Sequence, residues 1–301
     1  MRSVIFFVIV VLAGLFGFSQ WKTQHSTTSS SSAHKKPFLV AHRGDEQNFP
    51  ENSTDAFVSG ARVGADYVEM DIRRTKDGIF VIHHDDDTGR SVFCDQGEVP
   101  IAKATFSYIA TACRYRDLNG DAAKVLTLAE ALNLMKTTST GVVLDVKPVI
   151  KEADLPDLAV ELLKLDPDGG CQRGISVPGT FNCFANLIIY VNDLQAHDKL
   201  WRQVKGLEEA DPKWRTLGAM TFLKIAHSAK SILQDETYMN NDGVAFNFVA
   251  SDKEDVKKLR SLYPSKLLVA WTLATPEQFE SARSLKMDGI ITSKLSTYLS
   301  K

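Results

Sequence analysis

Short apolar runs alternate along the chain with stretches whose apolar residues recur at helical spacing. Phe38-Leu39-Val40-Ala41 reads as a buried strand and Thr54 to Val63 as a helix. Tyr67 to Ile72 and Ile79 to His83 read as strands flanking a Lys76-Asp77-Gly78 turn. The alternation then predicts a helix over Leu126 to Lys136, a strand over Val142 to Val146 and a helix over Leu155 to Leu165. A strand over Leu187 to Val191, a helix over Leu200 to Leu207, a strand over Leu217 to Phe222 and a helix from Ala226 to Gln234 follow. Val244 to Phe248, Lys266 to Leu273 and Gly289 to Thr292 complete the strands, with helices over Asp252 to Leu262 and Pro276 to Leu285 between them.

Repeated β-α alternation predicts a parallel sheet covered by helices. From Pro37 onward the length is close to the roughly 250 residues of an α/β (β/α)₈ TIM barrel. A doubly wound open sheet is the competing architecture, and no G-x-G-x-x-G follows the first strand to favour its dinucleotide-binding form. Thr88 to Lys124 breaks the rhythm and is expected to be an inserted loop or small subdomain.

The N-terminus has a different pattern. A single Arg2 precedes an uncharged apolar run from Val4 to Phe18, about 15 residues, which suits a signal-peptide core better than a spanning helix. Residues 1–22 are therefore expected to be a signal peptide or a signal anchor, the anchor placing Trp21 and Lys22 at the membrane interface. Residues 23–36, rich in Ser and Thr, are expected to be a solvated linker, and 37–301 the barrel domain. The expectation is an exported protein: secreted, periplasmic, in a secretory lumen, or held at a membrane.

Of 301 residues, 44% are hydrophobic and 24% charged, enough apolar content for a large core. A net charge of -2 gives no reason to expect a nucleic-acid partner. An even count of four Cys in an exported chain suggests disulfides. Of the three pairings, the local one, Cys94–Cys113 with Cys171–Cys183, is favoured because it closes two loop-like stretches. No C-x-x-C occurs, so a zinc site is not indicated.

Barrel chemistry sits where strands end at their C-terminal side. The first strand ends in His42-Arg43-Gly44, the second carries Glu69 and Asp71, and Asp145 and Lys147 close a later one. Glu69 and Asp71 are two apart and share a strand face, as do Asp145 and Lys147. Carboxylates on one interior wall repel unless a cation lies between them, so Glu69, Asp71 and Asp145 are candidate ligands for a hard divalent ion, Ca²⁺ or Mg²⁺. The alternative is neutralisation by Arg43 and Lys147 without metal. His83 and His84 face opposite ways, so only one can enter the mouth. His42 and His84, beside the acids, are the candidate acid–base pair.

Asn52 precedes a helical run and is its N-cap, a site contact or both. Asn52-Ser53-Thr54 is formally a glycosylation sequon, expected unmodified at a site rim. Trp271 is either a substrate wall or barrel packing. Asp117-Leu118-Asn119-Gly120-Asp121 hints at a calcium loop but lacks the later Glu and the flanking helices.

These residues carry a pattern. Ala41-His42-Arg43-Gly44, Pro50-Glu51-Asn52-Ser53, Gly64-Ala65-Asp66-Tyr67-Val68-Glu69-Met70-Asp71, Thr75-Lys76-Asp77-Gly78 and Val81-Ile82-His83-His84-Asp85, with Arg90 after them, resemble the glycerophosphodiester phosphodiesterase family. Leu144-Asp145-Val146-Lys147, Trp271-Thr272 and Asp288-Gly289-Ile290-Ile291-Thr292 resemble its later strand-end motifs, more sparsely. The chain departs from the pattern at Ser53 for Thr, at Asp145 for the usual Glu, and at Ser293 for a frequent Asp. The resemblance implies metal-dependent hydrolysis of a glycerophosphodiester to glycerol 3-phosphate and an alcohol. It implies His42 and His84 as catalytic, Glu69, Asp71 and Asp145 on the metal, and Arg43, Asn52, Lys147 and Trp271 against substrate. The glycerol 2-hydroxyl is the implied nucleophile, through a cyclic phosphate. A lysophospholipid or sphingolipid phosphodiesterase, an idle binding barrel and a metal-dependent sugar-binding barrel are the competing readings.

Overall fold

The computed structural model describes residues 36–116, 124–138, 140–148, 150, 152–164, 187–191, 198–200, 202, 204, 206 and 220–299. The expected signal segment and most of the linker, the Cys171–Cys183 pairing and the Asp117–Asp121 stretch lie outside the described residues.

β1 (Phe38–Ala41) leads to α1 (Thr54–Arg62) and β2 (Tyr67–Arg74). After β2 come β3 (Phe80–Ile82), β4 (Val92–Cys94), α2 (Phe106–Ala112) and β5 (Cys113–Tyr115). Regular alternation then resumes with α3 (Leu128–Met135), β6 (Gly141–Val146), α4 (Leu155–Leu163) and β7 (Leu187–Val191). It continues through β8 (Thr221–Ala226), α5 (Ala229–Gln234), β9 (Gly243–Asn247) and α6 (Lys253–Leu262). β10 (Leu267–Leu273), α7 (Pro276–Ser284), β11 (Gly289–Thr292) and α8 (Leu295–Leu299) finish the chain. Residues 198–200, 202, 204 and 206 are helical, where a helix was expected.

β1, β2, β6, β7, β8, β9, β10 and β11 pair in parallel, and β1 pairs with both β11 and β2, which closes the sheet into a barrel. Strand alternation sends two sets of side chains to opposite faces. Val40, Val143, Ile188, Tyr190, Leu223, Ala245, Val269 and Ile291 fill the barrel interior. Met70, Leu144, Ile189, Phe222, Phe246, Leu268 and Ile290 face the helices and belong to the main core. Phe246 is fully buried there. Truncating it to Ala would cost about 3–5 kcal/mol.

The helices start where capping chemistry places them. The Thr127 and Glu130 side chains form a capping box for α3, as do Thr275 and Gln278 for α7. At the opposite end of the barrel from the mouth, three aspartates repeat one device. Asp66, Asp242 and Asp288 accept from Leu39 N (2.7 Å), Phe222 N (2.8 Å) and Leu268 N (2.8 Å), the first free donors of neighbouring strands. Asp288 of the Asp-Gly-Ile-Ile-Thr motif is thus a strand cap at the barrel floor. Its neighbour Gly289 faces inward, where a Cβ would stand 2.3 Å from the Phe38 ring.

Two expected strands differ in position or sense. β8 runs over 221–226 rather than 217–222, because buried Lys224, paired with Asp198 at 2.9 Å, interrupts its apolar run with a charge. β3 is antiparallel to β2 and stands outside the barrel, so its run of buried residues forms a returning hairpin. The expected insertion is present: β4 and β5 pair antiparallel, and Val92, Ile101, Ile109, Cys113 and Tyr115 form a small core with Val81. The Cys94–Cys113 disulfide staples it. Among the described residues, no helix is long and apolar enough to cross a membrane.

Candidate active site

The interior face of β2 carries Glu69 and then Asp71, and the register Asp71↔Asp145 puts the β6 acid beside them. One oxygen from each of Glu69, Asp71 and Asp145 can be chosen so that all lie within 4.8 Å of one another. These three carboxylates, far apart in sequence, could hold a metal ion. Lys147 projects into the same cluster, its Nζ 2.6 Å from Asp71 Oδ1 and 2.7 Å from Asp145 Oδ2. The Arg43 backbone N donates to Glu69 Oε2 (2.8 Å), and its guanidinium stands 3.4 Å from Asp71 Oδ2.

Three acids therefore face two cations in a buried space, and the balance shows in their proton affinities. Burial, then repulsion from Asp71 and Asp145, pushes the Glu69 carboxyl well above the usual carboxylate range. Asp145 is also raised: burial and Asp71 outweigh the pull of Lys147. Asp71 goes the other way. Burial opposes its charge, but Lys147, Arg43 and His84 hold its carboxyl below the usual range. The trio lacks positive charge, and an all-oxygen donor set of this kind suits a hard divalent ion. The residues fit Ca²⁺ or Mg²⁺.

His42 and His84 reach this cluster by different routes. His42 follows the last residue of β1, and its Nδ1 lies 2.6 Å from Glu46 Oε1. Gly44 lets the chain turn here: it has φ +80°, and a Cβ would meet the Ala56 carbonyl carbon at 2.6 Å. His84 is not carried by a strand of the barrel; it follows β3. β2 overshoots the rim, turns, and β3 carries the chain back, with His83 N donating to Asp71 O at 3.0 Å. Arg73 Nε then grips the His84 carbonyl at 2.8 Å. His84 Nδ1 is 2.7 Å from Asp85 Oδ1, and Asp85 accepts from Arg90 Nε at 2.6 Å. The His83 ring points away, buried, with Nε2 2.9 Å from the Asp87 carbonyl. Burial lowers its pKa and favours the neutral ring.

Asn52 is not the cap of α1. Ser53 takes that role, its hydroxyl accepting from Ala56 N at 3.2 Å. Asn52 instead adopts φ +58° and clamps Asp71, donating from Nδ2 to Oδ2 (2.7 Å) and accepting from Asp71 N at Oδ1 (3.2 Å). Asn52 is buried beneath the site rather than at its rim.

A cleft of about 290 Å³ opens over these groups. His42, Arg43, Glu69, His84, Asp145 and Lys147 line one side. Tyr190, Ile225, Trp271, Thr272 and Ile291 line the other. Sequence reasoning gave no role to several residues of this neighbourhood, among them Glu46, Glu51, Tyr115 and Tyr190. Glu51 accepts from Arg43 Nη1 (2.8 Å) and from Arg90 Nη1 (2.7 Å), joining the two arginines. It lay within the Pro-Glu-Asn-Ser motif, which was the available signal. Tyr115 and Tyr190 are isolated aromatics with no pattern around them. The Tyr190 hydroxyl and the Trp271 indole N–H are buried with no hydrogen-bond partner among the described residues.

Comparison with known proteins agrees with this architecture. A glycerophosphodiester phosphodiesterase of Caldanaerobacter subterraneus is 45% identical over 56 residues, which is 19% of this chain and 23% of that protein. The glycerophosphocholine phosphodiesterase of Schizosaccharomyces pombe is 37% identical over 68 residues, 20% of this chain and 6% of that protein. The matched stretch thus spans less than a quarter of these curated relatives. An Oleispira antarctica phosphodiesterase, solved with the product sn-glycerol-3-phosphate, superposes with a TM-score of 0.65 at 17% identity, over 87% of this chain and 95% of that one. A glycerophosphoryl diester phosphodiesterase fold from Agrobacterium tumefaciens gives 0.66 at 17% identity, over 88% and 97%. Residues 42–297 match the glycerophosphoryl diester phosphodiesterase family across barrel and site alike, and the chain belongs to that family.

Proposed function

We propose that this protein hydrolyses glycerophosphodiesters to glycerol 3-phosphate and an alcohol, using one divalent ion and the pair His42 and His84. The observation that carries the reading is the convergence of three carboxylates, two cationic side chains and two imidazoles on one cleft. Glu69, Asp71 and Asp145 would hold the ion. When bound, the ion supplies positive charge against the phosphate and the oxygen that develops charge in the transition state.

The chain's own groups do the rest. Arg43 and Lys147 present cations to the anionic phosphodiester, reducing its repulsion toward an attacking oxygen. Glu46 and Asp85 hold the two rings through Nδ1, which leaves each Nε2 for proton transfer. One imidazole takes the proton from the glycerol 2-hydroxyl as it bonds to phosphorus. The other gives a proton to the alkoxide as the phosphorus–oxygen bond to the alcohol breaks. Water then opens the cyclic phosphate with the roles reversed. Trp271, Tyr190 and Ile225 form a wall for the uncharged part of the substrate. The Cys94–Cys113 disulfide supports export to an oxidising compartment. Membrane association would run through the N-terminal apolar segment.

The test is release of glycerol 3-phosphate from glycerophosphocholine, with and without chelator, alongside lysophosphatidylcholine. Chelator-sensitive release supports the reading. Turnover of lysophosphatidylcholine alone transfers it to the lysophospholipid alternative. Release unaffected by exhaustive chelation contradicts the metal assignment.

A further inference from the structure

We infer that Tyr115 is a positioning residue: its hydroxyl lets the stapled insertion fix the Asn52–Asp71 clamp beneath the site. This rests on reading Asp71 as a site carboxylate. Tyr115 ends β5 and is 1% exposed, seated in the insertion's own core. Its hydroxyl donates to the Asn52 carbonyl at 3.0 Å. Asn52 N donates to the Arg43 carbonyl at 3.0 Å, and its side chain holds Asp71 at two points. Every polar group of Asn52 is thus engaged, three toward the site and one toward the insertion.

The geometry needs that fourth contact. Asn52 and the Arg43 it binds both have positive φ, +58° and +53°. Non-glycine residues hold this conformation when neighbouring contacts enforce it. Tyr115 is two residues beyond Cys113, and the pairs Cys94↔Cys113 and Val92↔Tyr115 place the disulfide on the same two-stranded sheet, β4 with β5. This cross-linked strand pair is therefore the mount for the phenol. Among the described residues, the hydroxyl of Tyr115 bonds to the Asn52 carbonyl, so its influence on the site passes through Asn52.

Tyr115→Phe removes the hydroxyl, retains the ring, and leaves the Asn52 carbonyl without its donor. The loss of a buried hydrogen bond corresponds to roughly a 10-fold effect. In the full chain, Tyr115→Phe is expected to bind Mg²⁺ about 10-fold more weakly by calorimetry. It should lower kcat on glycerophosphocholine by about 10-fold while KM stays within about 2-fold. Exchange of the Asn52 side-chain amide protons, read by NMR, should accelerate by about 10-fold. Asn52→Gly keeps the permissive backbone and deletes the clamp, so adding Tyr115→Phe to it should change Mg²⁺ affinity by less than about 2-fold. Equal losses in both backgrounds would show a general packing role and overturn the inference. Unchanged Mg²⁺ affinity, kcat and Asn52 exchange in Tyr115→Phe would overturn it too. If that variant does not fold, wild-type exchange decides: Asn52 amide protons exchanging as fast as a free amide's sink the idea. A wild-type chain that binds no Mg²⁺ and turns over no substrate would defeat the functional reading, while the exchange comparison would still judge the role of Tyr115.

Discussion

The two sides of the cleft differ in kind. Among the described residues, β1, β2, β6 and the β3 hairpin supply its charged groups, whereas β7, β8, β10 and β11 supply Tyr190, Ile225, Trp271, Thr272 and Ile291. The strands are built alike, with buried interior residues at alternate positions. What separates the sides is which residue stands at the last inward position of each strand. On one side it is an acid or base tied to neighbours on other strands. On the other it is an apolar or aromatic group, and two of its polar atoms, Tyr190 Oη and Trp271 Nε1, have no partner among the described residues. Under the proposed function, chemistry falls to one wall and substrate fit to the other.

The largest expected effect breaks the charged wall. His42→Ala and His84→Ala should each lower kcat by at least about 100-fold, the lower end for acid–base catalysis. Steady-state kinetics on glycerophosphocholine reads this, and near-normal turnover in both variants would remove the imidazoles from the mechanism. The apolar wall should respond differently. Trp271→Ala is expected to raise KM by about 10-fold with kcat changed less than about 3-fold, the pattern of lost uniform binding. An equal fall in kcat and kcat/KM would move Trp271 to the chemical side.

The sequence exposed these walls unequally, for physical reasons. Strand parity made Glu69 with Asp71, and Asp145 with Lys147, legible as shared faces, because a two-residue period leaves no other arrangement. The barrel itself followed from alternation. The route of His84 did not: Phe80-Val81-Ile82 is buried throughout, and a run buried on both faces reads the same in either direction. Lys224 hid the start of β8, since its partner Asp198 lies in a different part of the chain. Asn52 and Ser53 are both capping residue types, and only the backbone angle of Asn52 separates their roles. Tyr115 and Glu51 owe their places to contacts with distant segments, which no local pattern announces.

A smaller effect sharpens the electrostatic half of the comparison. Glu69 and Asp145 are raised by burial and mutual repulsion, so they take up protons at higher pH than an ordinary carboxyl. An ion needs both ionised. Its affinity should therefore fall as pH drops from neutral, beginning above the usual carboxylate range, and binding should release protons. Calorimetry in buffers of different ionisation enthalpy measures the release; none at pH 6 would contradict the assignment.

Stability offers two milder tests at the edge of the charged wall. The Cys94–Cys113 bridge spans 19 residues, so reducing it should lower stability by about 3 kcal/mol on the loop-entropy account, read as a drop in Tm. Asp85 is held down to about 2, against burial, by Arg90 and His84. Its folded pKa is depressed, so its contribution is present above the unfolded value and is lost as pH falls from about 4 toward 2. At the solvent-facing rim that contribution is under about 1 kcal/mol, and Arg90→Ala should flatten this part of the stability–pH curve.

The central claim is that separated carboxylates form one ion site. Calorimetric titration of Mg²⁺ and of Ca²⁺ into the wild-type chain and into Asp71→Asn tests it most directly. The account predicts one ion per wild-type chain and at least about 100-fold weaker binding in the variant, since losing a direct ligand should cost at least as much as the roughly 10–100-fold of losing an outer-shell partner. A wild-type chain that binds neither ion, or an Asp71→Asn chain that binds as tightly as wild type, would contradict it.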